Sequence, residues 1–233
     1  MKSRDRLLAA IKGDEVDHLP WAPNLGYWWG QQGGQIEKQG EVEFIQSVGA
    51  DPLLRGHYNP YGKSKEQIML FKTRYENTEI RKVKKANKIC IYYDTPVGTL
   101  KFVRGYSANA DRWYLEEHGV KTAEDFKILK YIKEDMIIEP FYQKFNSEKA
   151  KYIDDALLVP LLNPEFKTDF QSLVEYWVGT EQLVYALMDY PEVVEDTLAT
   201  MWEVSRKCVK FSAVSEAKVF TTFEDTSTTN ISP

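Results

Sequence analysis

Apolar positions recur at two different periods along the chain, and the change of period divides it into segments. Leu7, Leu8 and Ile11 fall on one face of residues 3–12 at helical spacing, and Gly13 stops the run. Leu19-Pro20-Trp21-Ala22-Pro23 reads as a first strand entering a loop, 24–34, rich in glycine and aromatics. A short helix is predicted over 41–48. Gly49-Ala50-Asp51-Pro52-Leu53-Leu54-Arg55 then ends that helix and starts a second strand. Over 79–104 the period becomes two. Ile89, Ile91 and Tyr93 alternate, as do Leu100 and Phe102, with Thr95-Pro96-Val97-Gly98 between them. That pattern predicts antiparallel strands joined by tight turns, an inserted β-meander.

Helical spacing then returns. Thr122 is a candidate N-cap, with Glu124 and Asp125 in the first turn and Phe126, Leu129 and Ile132 as the inner stripe. A further helix is predicted over 140–151. The continuous apolar run Ala156-Leu157-Leu158-Val159-Pro160-Leu161 has the length and composition of a strand buried on both faces. Helical segments follow at 169–178, 180–188 and 191–214, the last with Pro191 in its first turn. Lys218-Val219-Phe220-Thr221-Thr222-Phe223 reads as a final strand running into Glu224-Asp225-Thr226-Ser227.

Four candidate core strands, near residues 20, 52, 158 and 220, therefore alternate with helices. This implies an α/β chain with a parallel sheet and crossover helices. A (β/α)8 barrel of the TIM type takes ~250 residues, more with insertions. Here about four strands use 233 residues. The expectation is a single barrel domain over 1–233 containing only the N-terminal part of the barrel, interrupted by the meander near 79–104.

Composition narrows the function classes. The chain is 43% hydrophobic and 28% charged, with a net charge of −5. An acidic balance disfavours nucleic acid as the main partner, since phosphate binding needs clustered Lys and Arg. The one basic run, Arg81-Lys82-Val83-Lys84-Lys85, reads as a solvated strand and turn. No stretch of about 18 apolar residues suits a membrane span. Cys90 and Cys208 lie far apart, and no signal-peptide core follows Met1, so the expected setting is cytoplasmic.

Several segments, taken in order, resemble the uroporphyrinogen decarboxylase superfamily. Residues 3–13 and Asp17-His18-Leu19-Pro20 look like its opening helix and first strand. Residues 49–55 and Thr95-Pro96-Val97-Gly98-Thr99-Leu100 look like segments of its corrinoid methyltransferase-like members. Residues 171–179 and Tyr190-Pro191-Glu192-Val193-Val194 resemble mid-barrel helices, and Phe223-Glu224-Asp225 with Ile231-Ser232-Pro233 resembles the end of the middle strand. The chain departs from true porphyrinogen decarboxylases after the first strand. Their Gln-Ala-Gly-Arg type segment holds substrate carboxylates, whereas no Arg or Lys occurs here from Pro20 to Ile36.

The resemblance implies methyl transfer by the complete protein between a corrinoid (cobalamin) protein and a small acceptor or donor, with the 233 residues alone expected to be inactive. A decarboxylase-like lyase acting on a carboxylated substrate is one alternative. A non-catalytic half barrel completed by a partner is another. The family's zinc ligands, a His-x-Cys pair and a later Cys, follow its Ile-Ser-Pro motif. Zinc is thus expected only from residues beyond Pro233, and no metal ligand is assigned within the chain. Cys208, beside Val209 and Phe211, reads as core packing. The expected partners are a corrinoid protein or a small-molecule substrate, with a homo-oligomer as one way to cover an open sheet edge.

Barrel enzymes place their sites at the C-terminal ends of strands. Glu224 and Asp225 are candidate acid–base residues, because adjacent carboxylates repel and one pKa can rise. His57 joins them as a catalytic candidate. Candidate substrate-binding residues are Asn24, Tyr27, Trp28, Arg55, Tyr58 and Asn163, with Glu165 close to the last. Tyr27, Trp28 and Trp29 could wall a flat macrocycle pocket or pack a rim. Arg55 could anchor a carboxylate or a corrin amide, or pair with Asp51. The alternative for Glu224 and Asp225 is a solvated loop or a helix cap.

Overall fold

A computed structural model of the chain describes residues 1–25, 28–29, 32, 34–55, 69–109, 112–165 and 167–224. In chain order the elements begin with α1 (Ser3–Lys12), α2 (Gly34–Gln39), α3 (Glu41–Ser47) and β1 (Leu53–Arg55). Five strands follow: β2 (Phe71–Tyr75), β3 (Glu79–Lys85), β4 (Lys88–Thr95), β5 (Gly98–Ser107) and β6 (Arg112–Glu117). Next come α4 (Ala123–Glu134), β7 (Met136–Pro140), α5 (Gln143–Tyr152) and β8 (Leu157–Val159). The last are α6 (Asp169–Ser172), a π-helical turn (Leu173–Trp177), α7 (Thr180–Asp189) and α8 (Pro191–Ala213). They form two compact units. One comprises Met1–Leu70, Phe141–Leu162 and Ser212–Thr221; the other comprises Phe71–Pro140, Asn163–Phe211 and the chain from Thr222.

The first unit is built on the parallel pair β1 and β8, in register Leu53↔Leu157, Leu54↔Leu158 and Arg55↔Val159. Leu7 of α1 packs with Leu157 and Val159, flanked by Leu8, Ala22, Leu53 and Val219. α1 ends as its sequence predicts. Gly13 takes a left-handed φ of 80°, and the residues closing the helix bond back to Ala9 and Ala10. The unit also buries charge. Arg6 Nη1 donates to Asp51 Oδ1 at 2.5 Å and its Nε donates to Asp17 at 2.6 Å. Asp51 is thus the partner of Arg6, and of the readings open for Arg55 its pairing with Asp51 is not seen among the described residues.

In the second unit, β2 and β7 pair antiparallel, and β3-β4-β5-β6 form a four-stranded antiparallel meander. The meander confirms the period-two reading and extends it through β6. The turn at Thr95–Gly98 is locked by its threonine, whose hydroxyl donates to the Gly98 carbonyl at 2.7 Å. The core of this unit is the predicted stripe of α4, with Phe126, Leu129 and Ile132 fully buried against Leu100, Phe102, Leu173 and Trp177. Thr122 caps α4 in a reciprocal capping box with Asp125. Cys208 lies fully buried on α8, as its apolar neighbours predict.

The barrel is corrected. Among the described residues, laddered parallel pairing is confined to β1 and β8, three residues each, and the longer sheets are antiparallel. No (β/α)8 barrel is present among the described residues. Two of the four predicted core strands fail for separate reasons. The run 19–23 contains two prolines, which cannot donate to a ladder, and Leu19 is 87% exposed. Trp21 instead bonds with Asp51, accepting from its backbone N–H at 2.7 Å. Near residue 220 only isolated parallel bridges form, Leu161↔Thr221 and Lys167↔Phe223. Among the described residues, no helix is long and apolar enough to cross a membrane.

Candidate functional site

The second unit gathers buried and half-buried polar side chains from four segments that are distant in sequence. Lys133 arrives on the last turn of α4. It stands four residues after Leu129, on the buried stripe itself, and only 3% of its side chain is exposed. Asn163 and Glu165 come from the segment after β8, Asp169 from the first turn of α6, and Ser205 from the middle of α8. Ser205 reaches the interior because Val194, Thr197, Met201 and Cys208 share its helix face at three- and four-residue spacing and are buried.

The cluster has two linked halves. In one, Asn163 Nδ2 donates to Ser205 Oγ at 3.0 Å, and Ser205 Oγ donates onward to Asp169 Oδ1 at 2.7 Å. In the other, the Lys133 ammonium pairs with the Glu165 carboxylate and lies 4.4 Å from the centre of the Trp177 ring. Trp177 Nε1 donates to the other oxygen of Glu165 at 2.9 Å. Glu165 is therefore satisfied from two sides, as a partly buried carboxylate must be. Between the halves lies a cavity of about 10 Å³ lined by Lys133, Asn163, Glu165, Asp169 and Ser205, the size of one water molecule.

Burial holds the Asp169 carboxyl above its ordinary value, while the Ser205 hydroxyl and the Lys133 charge pull it partly back. A raised carboxyl next to a hydrogen-bonded hydroxyl holds its proton more readily than an ordinary carboxylate, which suits it to proton exchange. The π-helical turn positions the indole. Val178 N–H bonds to the Leu173 carbonyl at 2.9 Å, five residues back, which widens the helix where Trp177 must meet Glu165. Gly179 follows at φ 91°, where the His118 ring would lie 3.0 Å from an added Cβ. Burial lowers the pKa of that imidazole.

Of the residues proposed from the sequence, Asn163 is buried inside the cluster and Glu165 joins it half-buried. Glu224 lies beside it and accepts a hydrogen bond from Thr168, the residue before Asp169. The Lys167↔Phe223 bridge fixes that approach. Asn24, Trp28 and Arg55 belong to the first unit. Asn24 and Arg55 are exposed, and Trp28 is 43% exposed with its ring 5.1 Å from Phe44. Tyr27, His57, Tyr58 and Asp225 lie outside the described residues. Sequence reasoning missed Lys133, Asp169 and Ser205. Lys133 carried a legible signal, a cation on an apolar stripe; Ser205 and Asp169 did not.

The family resemblance expects zinc ligands only beyond Pro233 and assigns none to Cys90 or Cys208. Burial pushes the Cys208 thiol up to about 12, so it stays protonated and is a poor metal ligand. Among the described residues, no group of three His, Cys, Asp or Glu side chains is arranged to hold a metal ion. Compared with models of known protein families, with curated proteins and with solved structures, the chain matches none.

Proposed function

We propose that the chain is an enzyme of the uroporphyrinogen-decarboxylase-like class, in its corrinoid methyltransferase-like branch, moving a methyl group between a corrinoid protein and a small acceptor or donor. The order of the resembling segments supports the class. The observation that carries a catalytic role is the half-buried Asp169 carboxyl, raised by its burial and held by Ser205. A corrinoid on a partner protein would supply or take the methyl group. The chain's own task is then proton handling. An acceptor X–H must lose its proton as the C–X bond forms, and we assign the uptake of that proton to the Asp169 carboxylate. Ser205 fixes that oxygen's orientation and Asn163 fixes Ser205. In the reverse direction the same carboxyl returns the proton to the leaving X.

The test is an assay of the full gene product, with any sequence that follows Pro233, using methylcobalamin and a panel of thiol and hydroxyl acceptors and reading methylated product by mass spectrometry. The expected result is methyl transfer that falls by about 10²-fold or more in Asp169→Asn with the fold retained by circular dichroism. No methylated product from the wild-type protein, with CO2 released from carboxylated substrates instead, would replace this reading by the lyase alternative.

A further inference from the structure

One face of the meander forms a second, larger pocket. Ile80 and Lys82 of β3, Ile91 and Tyr93 of β4, Phe102 and Arg104 of β5, and Leu115 of β6 line it, and Tyr176 of the π-helical turn joins them. Strand alternation brings these side chains together. Ile91 stands between Lys82 and Phe102 in the cross-strand register, and Arg104 lies two residues along β5. The volume is about 170 Å³. An apolar cavity of about 150 Å³ takes up a molecule of benzene.

The charges of this pocket set it apart from the rest of the sheet. Elsewhere on the meander Arg81 pairs with Asp94 at 3.1 Å, Lys88 with Glu116 at 2.8 Å and Lys101 with Glu117 at 3.4 Å. Arg104 makes no such pair among the described residues. Its guanidinium donates to the neutral hydroxyl of Tyr176 and lies 5.5 Å from that ring's centre, so most of its five donors remain available. Lys82 likewise has no acidic partner among the described residues. Two cations thus sit over an aromatic and aliphatic floor in a protein whose net charge is −5.

We propose that this pocket binds a small carboxylate with an aromatic or branched apolar body, of about the size of benzoate. The body fills the floor between Ile91, Tyr93 and Phe102, and the carboxylate takes the Arg104 fork with Lys82 as a second positive charge. A neutral ligand of the same shape leaves both cations uncompensated, and a small anion without a body leaves the floor wet. The inference rests on the pocket alone and is independent of methyl transfer.

The experiment is titration of the full chain with benzoate and with benzamide, read by calorimetry and by the emission of Trp177, whose ring is 5.4 Å from those of Tyr93 and Phe102. Benzoate is expected to saturate at one site. Arg104→Gln and Lys82→Gln should each weaken it by about tenfold or more, and benzamide should bind correspondingly worse. Arg81→Gln, on the opposite face, should leave the affinity unchanged. Failure of benzoate to saturate, equal binding of benzamide, or wild-type affinity in both pocket variants would each overturn the proposal.

Discussion

Ser205 Oγ donates a hydrogen bond of 2.7 Å to Asp169 Oδ1, joining the middle of a long helix to the first turn of a short one inside the second unit. Burial nevertheless leaves the Asp169 carboxyl raised. The folded-state pKa lies above the unfolded value of about 3.9. The stability this group contributes is therefore fully present below that value and is lost as pH rises through the folded pKa. Asp169→Asn does not titrate and escapes the loss. The variant should gain stability relative to wild type as pH rises from about 3 to about 7, read as the difference in urea midpoints. A difference that stays constant across that range would contradict the assignment.

Lys133 and Glu165 should behave as one unit. The Lys133 side chain is 3% exposed, and the Glu165 carboxylate faces its ammonium. Glu165→Gln leaves the ammonium without its counter-charge, and a loss of about 3–5 kcal/mol is expected. Lys133→Met should also destabilise, since it strands the carboxylate against Trp177. The double variant should cost less than the sum of the two, by about 1 kcal/mol or more. Strict additivity in urea denaturation would show that the two groups do not depend on each other.

Much of this architecture was legible in local pattern, and what was not depends on partner choice. The α1 stop at Gly13, the Thr122 cap, the stripe Phe126–Leu129–Ile132 and the strands over 79–104 all follow from spacing of three to four or of two. Strand partners do not. Met136-Ile137-Ile138 is as compatible with a continuing helix as with β7, and only pairing with β2 decides it. The run at 19–23 looked like a core strand because it is apolar, yet its prolines remove ladder donors. The site shows the same division. Asn163 and Glu165 were within reach of the strand-end rule, and Glu224 lies beside the cluster. Ser205 entered it through a helix face whose other members are apolar, and a single serine there looks like tolerated small-residue packing.

The cap and core of α4 give independent stability terms. Thr122 accepts from the Asp125 backbone N–H, and its own N–H is accepted by the Asp125 side chain. Thr122→Ala should cost about 1 kcal/mol. Leu129 is fully buried, and Leu129→Ala should cost about 2–5 kcal/mol through lost burial and the cavity left behind. The residues stand seven positions apart on one helix and share no partner, so the double variant should be additive within about 0.5 kcal/mol. Chemical denaturation of the three variants checks this. A Thr122→Ala cost near zero would mean that the capping box contributes nothing measurable.

The first unit supplies an acid-sensitive counterpart. Arg6 bridges Asp17 and Asp51, and its hydrogen bond holds the Asp17 carboxyl well below the usual carboxylate range, with help from the Met1 ammonium at 2.8 Å. A depressed folded pKa contributes stability that is present above the unfolded value of about 3.9 and is lost as pH falls below it. Arg6→Met removes the main cause of that depression, so the loss of stability on the acid side should become shallower. At neutral pH the same variant should be less stable than wild type, because Asp51, only 3% of whose side chain is exposed, loses its guanidinium. Arg6→Lys should fall between the two, keeping a positive charge but not the fork that reaches both carboxylates. Thermal midpoints from about pH 6 to about pH 2 separate the cases. Parallel curves for Arg6→Met and wild type would mean that Asp17 draws its depression from elsewhere.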